Sequence, residues 1–92
     1  MTKEYIQEKV IKYYNENAKH YIFFNPTLTD KEHIINIATS ILMHKYEVVG
    51  YKPGSFIRAF LDNNLIQTFN KADRVNVKCI HFYMMLVYNI EL

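Results

Sequence analysis

The residues best placed to do chemistry at short range lie between positions 52 and 58, where Lys52, Gly54, Ser55 and Arg58 surround a Pro53-Gly54 turn. A helix that starts after Gly-Ser presents free amide donors, and two cations beside it would complete a pocket for a phosphate-bearing ligand such as a nucleotide signal. The glycine spacing of a Walker loop or a dinucleotide fingerprint is missing, so an ordinary capped turn is the competing reading. Lys71, Arg74 and Lys78 recur at three- and four-residue steps. Such a basic stripe reads either as a solvated face or as a contact to nucleic-acid phosphates. The histidines do not share metal-ligand spacing: His33 and His44 fall on one helix face but lie about 16 Å apart along it, and Cys79 and His81 point in different directions. Ser40 and Ser55 have no nucleophile elbow around them. Cys79 sits in an apolar stretch, where a thiol is usually an inert core group. The expectation is a protein without catalytic residues, metal or cofactor.

These residues must be held by a chain of 92 residues, which is one domain's worth. Half of it is hydrophobic and fourteen residues are Phe or Tyr (six and eight), a dense apolar supply for so small a surface. With two glycines and two prolines, the chain lacks the turn signals that a sandwich or barrel needs every ~8–12 residues. One cysteine excludes an internal disulfide and fits a reducing compartment. The first ten residues carry charges of both signs, unlike a secretory or transit leader, and no apolar run approaches the ~18 residues of a membrane span. A cytoplasmic setting is the expectation. Eleven basic and nine acidic residues leave a net charge of +2, too balanced to indicate nucleic acid on electrostatics alone.

The apolar spacing predicts four helices and hence an all-α, compact four-helix bundle, with one short strand pair as an open variant. Helix one covers residues 3–18, with Ile6, Val10, Tyr13, Tyr14 and Ala18 on one face; residues 20–24 either extend it or form an extended piece. Asn25-Pro26 breaks the chain. Thr29 and Glu32 match a capping box, so helix two is expected to begin there and to reach residues 46–48. The stretch 46–51 favours a strand. Ser55 is the expected N-cap of helix three, which carries Phe56, Ile57, Phe60, Leu61, Leu65, Ile66 and Phe69 and is expected to continue through the poor helix formers Asp62, Asn63 and Asn64. Asp73 caps helix four, running to about Ile90. Helix four is apolar on every face, which places it in the middle of a fold or against a second chain. Self-association is therefore expected, with Tyr5, Tyr13, Tyr14, Phe82 and Met85 as interface candidates.

Pro53-Gly54-Ser55-Phe56, Ala59-Phe60-Leu61, Asn63-Asn64-Leu65, Ala72-Asp73 and Asn76 form a pattern that resembles a group of small, largely uncharacterised phage and prophage proteins. The likeness spans residues 50–90 and departs from the group's Asn-Asp step at Asn64. It implies a phage-borne accessory protein and carries no reaction. Asn63, Asn64, Asp73 and Asn76 would lie together if helices three and four form a hairpin, either fixing it or contacting a partner. The leading functional expectation is a non-enzymatic inhibitor that binds a host protein, an anti-CRISPR-like defence target among the candidates. The alternatives are an oligomer that sequesters a nucleotide-like signal through residues 52–58, and a small DNA-binding regulator using Lys71, Arg74 and Lys78.

Overall fold

A computed structural model describes residues 1–48, 50 and 52–92. The chain folds as an all-helical bundle with no strand among the described residues. α1 (Lys3–Tyr21) starts under Thr2, whose hydroxyl accepts from the Tyr5 amide, and buries Ile6, Val10 and Tyr14, one every fourth residue. It extends one turn past the expected end, to a cap at Ile22, which turns inward and is buried. α2 (Leu28–Lys45) starts two residues before the expected point. Both Thr27 and Thr29 precede an acidic residue by three positions, and Thr27 forms the box: its Oγ1 accepts from the Asp30 amide at 3.0 Å and Asp30 Oδ2 accepts from its amide at 3.1 Å. The earlier start continues directly from the break that Pro26 imposes.

α2 ends in a turn where a strand was expected. Glu47 takes a left-handed conformation (φ 54°), its amide donates to the His44 carbonyl, and the Val48 amide reaches back to Met43. This is the Schellman arrangement, with glutamate in the position that usually holds glycine. The strand-favouring stretch 46–51 thus begins as a helix stop; its Val49 and Tyr51 lie outside the described residues.

α3 (Ser55–Leu61) has Gly54, not Ser55, as its N-cap, and no side chain caps it. Starting one residue early lets the Gly54 carbonyl accept from the Arg58 amide, a useful bond in a helix this short. The expected continuation through residues 62–64 does not occur. Asn63 is left-handed (φ 59°), its amide donates to Phe60 and the Asn64 amide to Ala59, a second Schellman stop. Asn64 then caps α4 (Leu65–Lys71) by accepting from the Gln67 amide. Asparagine enters the left-handed region more readily than other residues with a side chain, so Asn63 ends one helix and Asn64 starts the next.

Asp73 caps α5 (Arg74–Lys78) as expected, accepting from the Asn76 amide at 2.7 Å. The predicted single helix from Arg74 to Ile90 is interrupted at Cys79, whose amide bonds the Asn76 carbonyl in a tightened turn, and α6 (Ile80–Asn89) follows. Val75, Asn76, Val77 and Cys79, all poor helix formers, flank this break. α6 occupies the centre. Phe82 and Tyr83 are fully buried side by side. Phe82 packs against Tyr13 and Tyr14 of α1, ring centres 5.8 and 5.6 Å apart. Tyr83 packs against Phe56 and Phe60 of α3 at 6.0 and 6.4 Å. The all-apolar character of α6 is thus largely satisfied within the chain.

Because a left-handed glutamate carries a steric cost that glycine escapes, Glu47→Gly is expected to stabilise the fold by about 1 kcal/mol. Urea unfolding would show this as a raised midpoint at unchanged slope.

Candidate functional site

One chain of polar side chains runs from the interior to the surface. Tyr83 Oη donates to Asn76 Oδ1 at 2.7 Å, Asn76 Nδ2 donates to Asp73 Oδ2 at 3.4 Å, and the His33 imidazole lies with Nε2 2.7 Å from that same carboxylate oxygen. This chain ties α2 to the α4–α5 turn and to α6. It also answers where the expected polar cluster went. Asp73 and Asn76 do meet, whereas Asn63 and Asn64 sit at the far end of α4, about 10 Å of helix away. Asn76 is buried, so it holds the fold and is not available to a partner.

The same correction applies to two of the aromatic interface candidates. Tyr14 and Phe82 are core residues, and Tyr13, half-buried, packs its ring at a tilt against Phe82. Tyr5 is partly exposed, and its hydroxyl donates to the Leu92 carbonyl. Met85 is half-buried. Of the proposed anion site, Lys52, Gly54, Ser55 and Arg58 are all exposed, and they line neither of the two depressions described below. The basic stripe is divided. Lys71 closes α4 while Arg74 and Lys78 belong to α5, with the Ala72-Asp73 turn between them. Among the described residues no group of three or more His, Cys, Asp and Glu is placed to hold a metal ion, and no helix is long and apolar enough to cross a membrane.

Burial pushes the Cys79 thiol up to about 12, helped by the carboxylates of Asp73 and Asp30. Burial, and then the neighbouring Cys79, also raises Tyr14 and Tyr83 above the ordinary phenol value. At neutral pH Cys79 is therefore a protonated core group and a poor nucleophile.

Two surfaces stand out instead. The first is built by the loop between α1 and α2 where it meets α5. Phe23 and Leu28 are 79% and 74% exposed. Beside them Phe24, Asn25 and Asp30 share with Arg74, Val75 and Lys78 a depression of about 350 Å³. The Lys78 ammonium lies 5.1 Å over the Phe24 ring, a cation–π contact that holds the loop against α5. The second surface is a groove of about 790 Å³ between α4 and α6, with Leu65 and Thr68 on one wall and Met84, Val87 and Tyr88 on the other. Leu65, Ile66 and Tyr88 are 68%, 79% and 84% exposed, and Phe69 and Met84 are about half exposed. No family model, curated protein or solved structure matches the chain. The surfaces must therefore be read from their own chemistry.

Sequence patterning missed both. Leu65, Ile66 and Phe69 were expected on the second half of one long helix three. Once Asn63 breaks that helix, the seven residues of α4 bury only Thr68. The Asn-Asn pair was the available signal. Phe23 and Leu28 flank the proline break and had no periodicity to mark them.

Two measurements check this geometry. Tyr83→Phe strands the buried Asn76 amide oxygen and is expected to cost about 1–3 kcal/mol in chemical unfolding. Stability is also expected to fall as pH rises from about 9 towards 12. In that window the unfolded chain releases its thiol proton while the folded chain retains it, so the folded state binds more protons. Alkaline melts followed by circular dichroism, with wild type compared to Cys79→Ala, would test it: the variant should lose part of the slope.

Proposed function

We propose that this chain is a small non-catalytic binding protein of the phage accessory kind, acting in the host cytoplasm by docking on a host protein and inhibiting it. The observation that carries the reading is the surface at the α1–α2 loop, where Phe23 and Leu28 are exposed and their chain neighbours Phe24, Asn25 and Asp30 share a depression with Arg74 and Lys78. Large aromatic and arginine side chains dominate the energetics of protein–protein contacts. A loop held at both ends by rigid structure loses little freedom when it binds. Here the holding is done by the capping box of Thr27 and Asp30 and by the Lys78–Phe24 contact. Two cations at the edge fit a partner surface that is apolar in the middle and acidic at its rim.

The phage setting is supported by the pattern at residues 53–76 that resembles small phage and prophage proteins. The inhibitor role is supported by an exposed apolar surface suited to docking. A DNA-binding role has less support, because Lys71 sits on a different helix from Arg74 and Lys78. A nucleotide-sequestering role has less support, because Lys52, Gly54, Ser55 and Arg58 line neither of the two depressions described above.

The test is affinity capture from host lysate with the wild type, with Phe23→Ala and with the double variant Arg74→Glu/Lys78→Glu. Phe23→Ala is expected to melt like the wild type, since its side chain is exposed, and the double variant somewhat lower, since it also loses the Lys78–Phe24 contact. The wild type should retain a discrete host protein and Phe23→Ala should lose it by about 30-fold in affinity or more, the scale of a hot-spot truncation. A wild type that retains nothing above background, or a retained protein indifferent to both variants, would sink the proposal.

A further inference from the structure

We propose that the outer face of α4 and α6 is the contact between two copies of this chain, related by a two-fold axis. α4 has seven residues, packs chiefly against α3 and buries only Thr68. A helix of that length is not stable on its own in water, and it carries Leu65, Ile66 and Phe69 largely uncovered. Across the groove, Met84 and Tyr88 of α6 are also uncovered. Together the five side chains present on the order of 700 Å² if each large side chain offers roughly 150–250 Å² when fully exposed. That approaches the ~800 Å² that each partner contributes to a standard interface.

Charge selects the occupant. Residues 63–70 contain no Asp, Glu, Lys or Arg, and neither do residues 79–90. Such a face gives an oppositely charged partner nothing to recognise. In a two-fold contact every group near the axis meets its own copy, so a charged face repels itself and an uncharged one does not. The nearest cations respect this. Lys45 at the groove's end is tied back, its Nζ donating to the Val87 carbonyl. Lys71 closes α4, and with α4 packed antiparallel to its copy it falls opposite the uncharged Asn63-Asn64 end. The docking loop with Phe23 and Leu28 belongs to a different surface, so the dimer would display two copies of it.

Sedimentation equilibrium on the purified full chain tests this without any host component. The wild type is expected to reach twice the 11.0 kDa chain mass at micromolar concentrations. Ile66→Glu should weaken the dimer at least about a hundredfold. Tyr88→Glu, on a separate helix and almost fully exposed, should do the same while keeping its helical circular dichroism, and decides the matter if Ile66→Glu misfolds. Phe23→Ala should leave the dimer intact. A wild type that stays monomeric to near-millimolar concentration would overturn the proposal, as would an assembly larger than two, or a dimer lost in Phe23→Ala and kept in Tyr88→Glu. Failed host capture with an intact dimer would remove the proposed function alone.

Discussion

The fold depends on one buried hydrogen bond, from the Tyr83 hydroxyl to the side-chain oxygen of Asn76. Tyr83 is inaccessible and Asn76 nearly so, and a polar group at such depth must be paired or the helix that carries it cannot pack. The pairing satisfies both residues and fixes their relative position. From there the constraint spreads outward: Asn76 lies next to the Asp73 carboxylate, Asp73 caps α5, and His33 brings α2 to the same carboxylate. Every member of the chain is satisfied, and no buried side-chain nitrogen or oxygen among the described residues lacks a partner. A network completed in this way specifies one arrangement of helices more sharply than apolar packing alone.

With that point fixed, the apolar core follows from α6. Phe82 faces α1 and Tyr83 faces α3, so adjacent residues of one helix join two sides of the bundle. The same helix supplies the groove wall on its remaining side through Met84 and Tyr88. Core and surface are therefore two faces of a single ten-residue element. This explains why it reads as apolar all round without being wholly enclosed.

The helical class, the position of α1 and the Asp73 cap were legible because each rests on a local rule: four-residue apolar spacing, or an acceptor three residues ahead of its donor. What was not legible depended on choosing between local rules that both applied. Thr27 and Thr29 each satisfy the capping-box pattern, and only the geometry of the chain leaving Pro26 decides between them. Asp62, Asn63 and Asn64 can be tolerated on a wet helix face or can end the helix, and propensities do not separate these outcomes. Around Cys79 the poor helix formers Val75, Asn76 and Val77 can be carried inside a helix or can end it, and propensity again does not choose. Each misplacement moved side chains to a new face. Tyr14 and Phe82, candidates for an interface, proved to be core, and Leu65, Ile66 and Phe69, expected on one long helix three, proved to be surface. The sites were therefore harder to read than the fold, because exposure is a property of the whole bundle and not of any one window.

The central place of α6 bears on how the molecule is made. The helices that line its socket, α1, α2 and α3, all precede it in the chain, and a ribosome delivers them first. Until residues 80–89 emerge, Tyr14 and Phe56 have no Phe82 or Tyr83 to close over them, and the early hairpins stay open to chaperones and to one another. Productive folding of this protein is thus tied to the release of α6 and not to the appearance of α1.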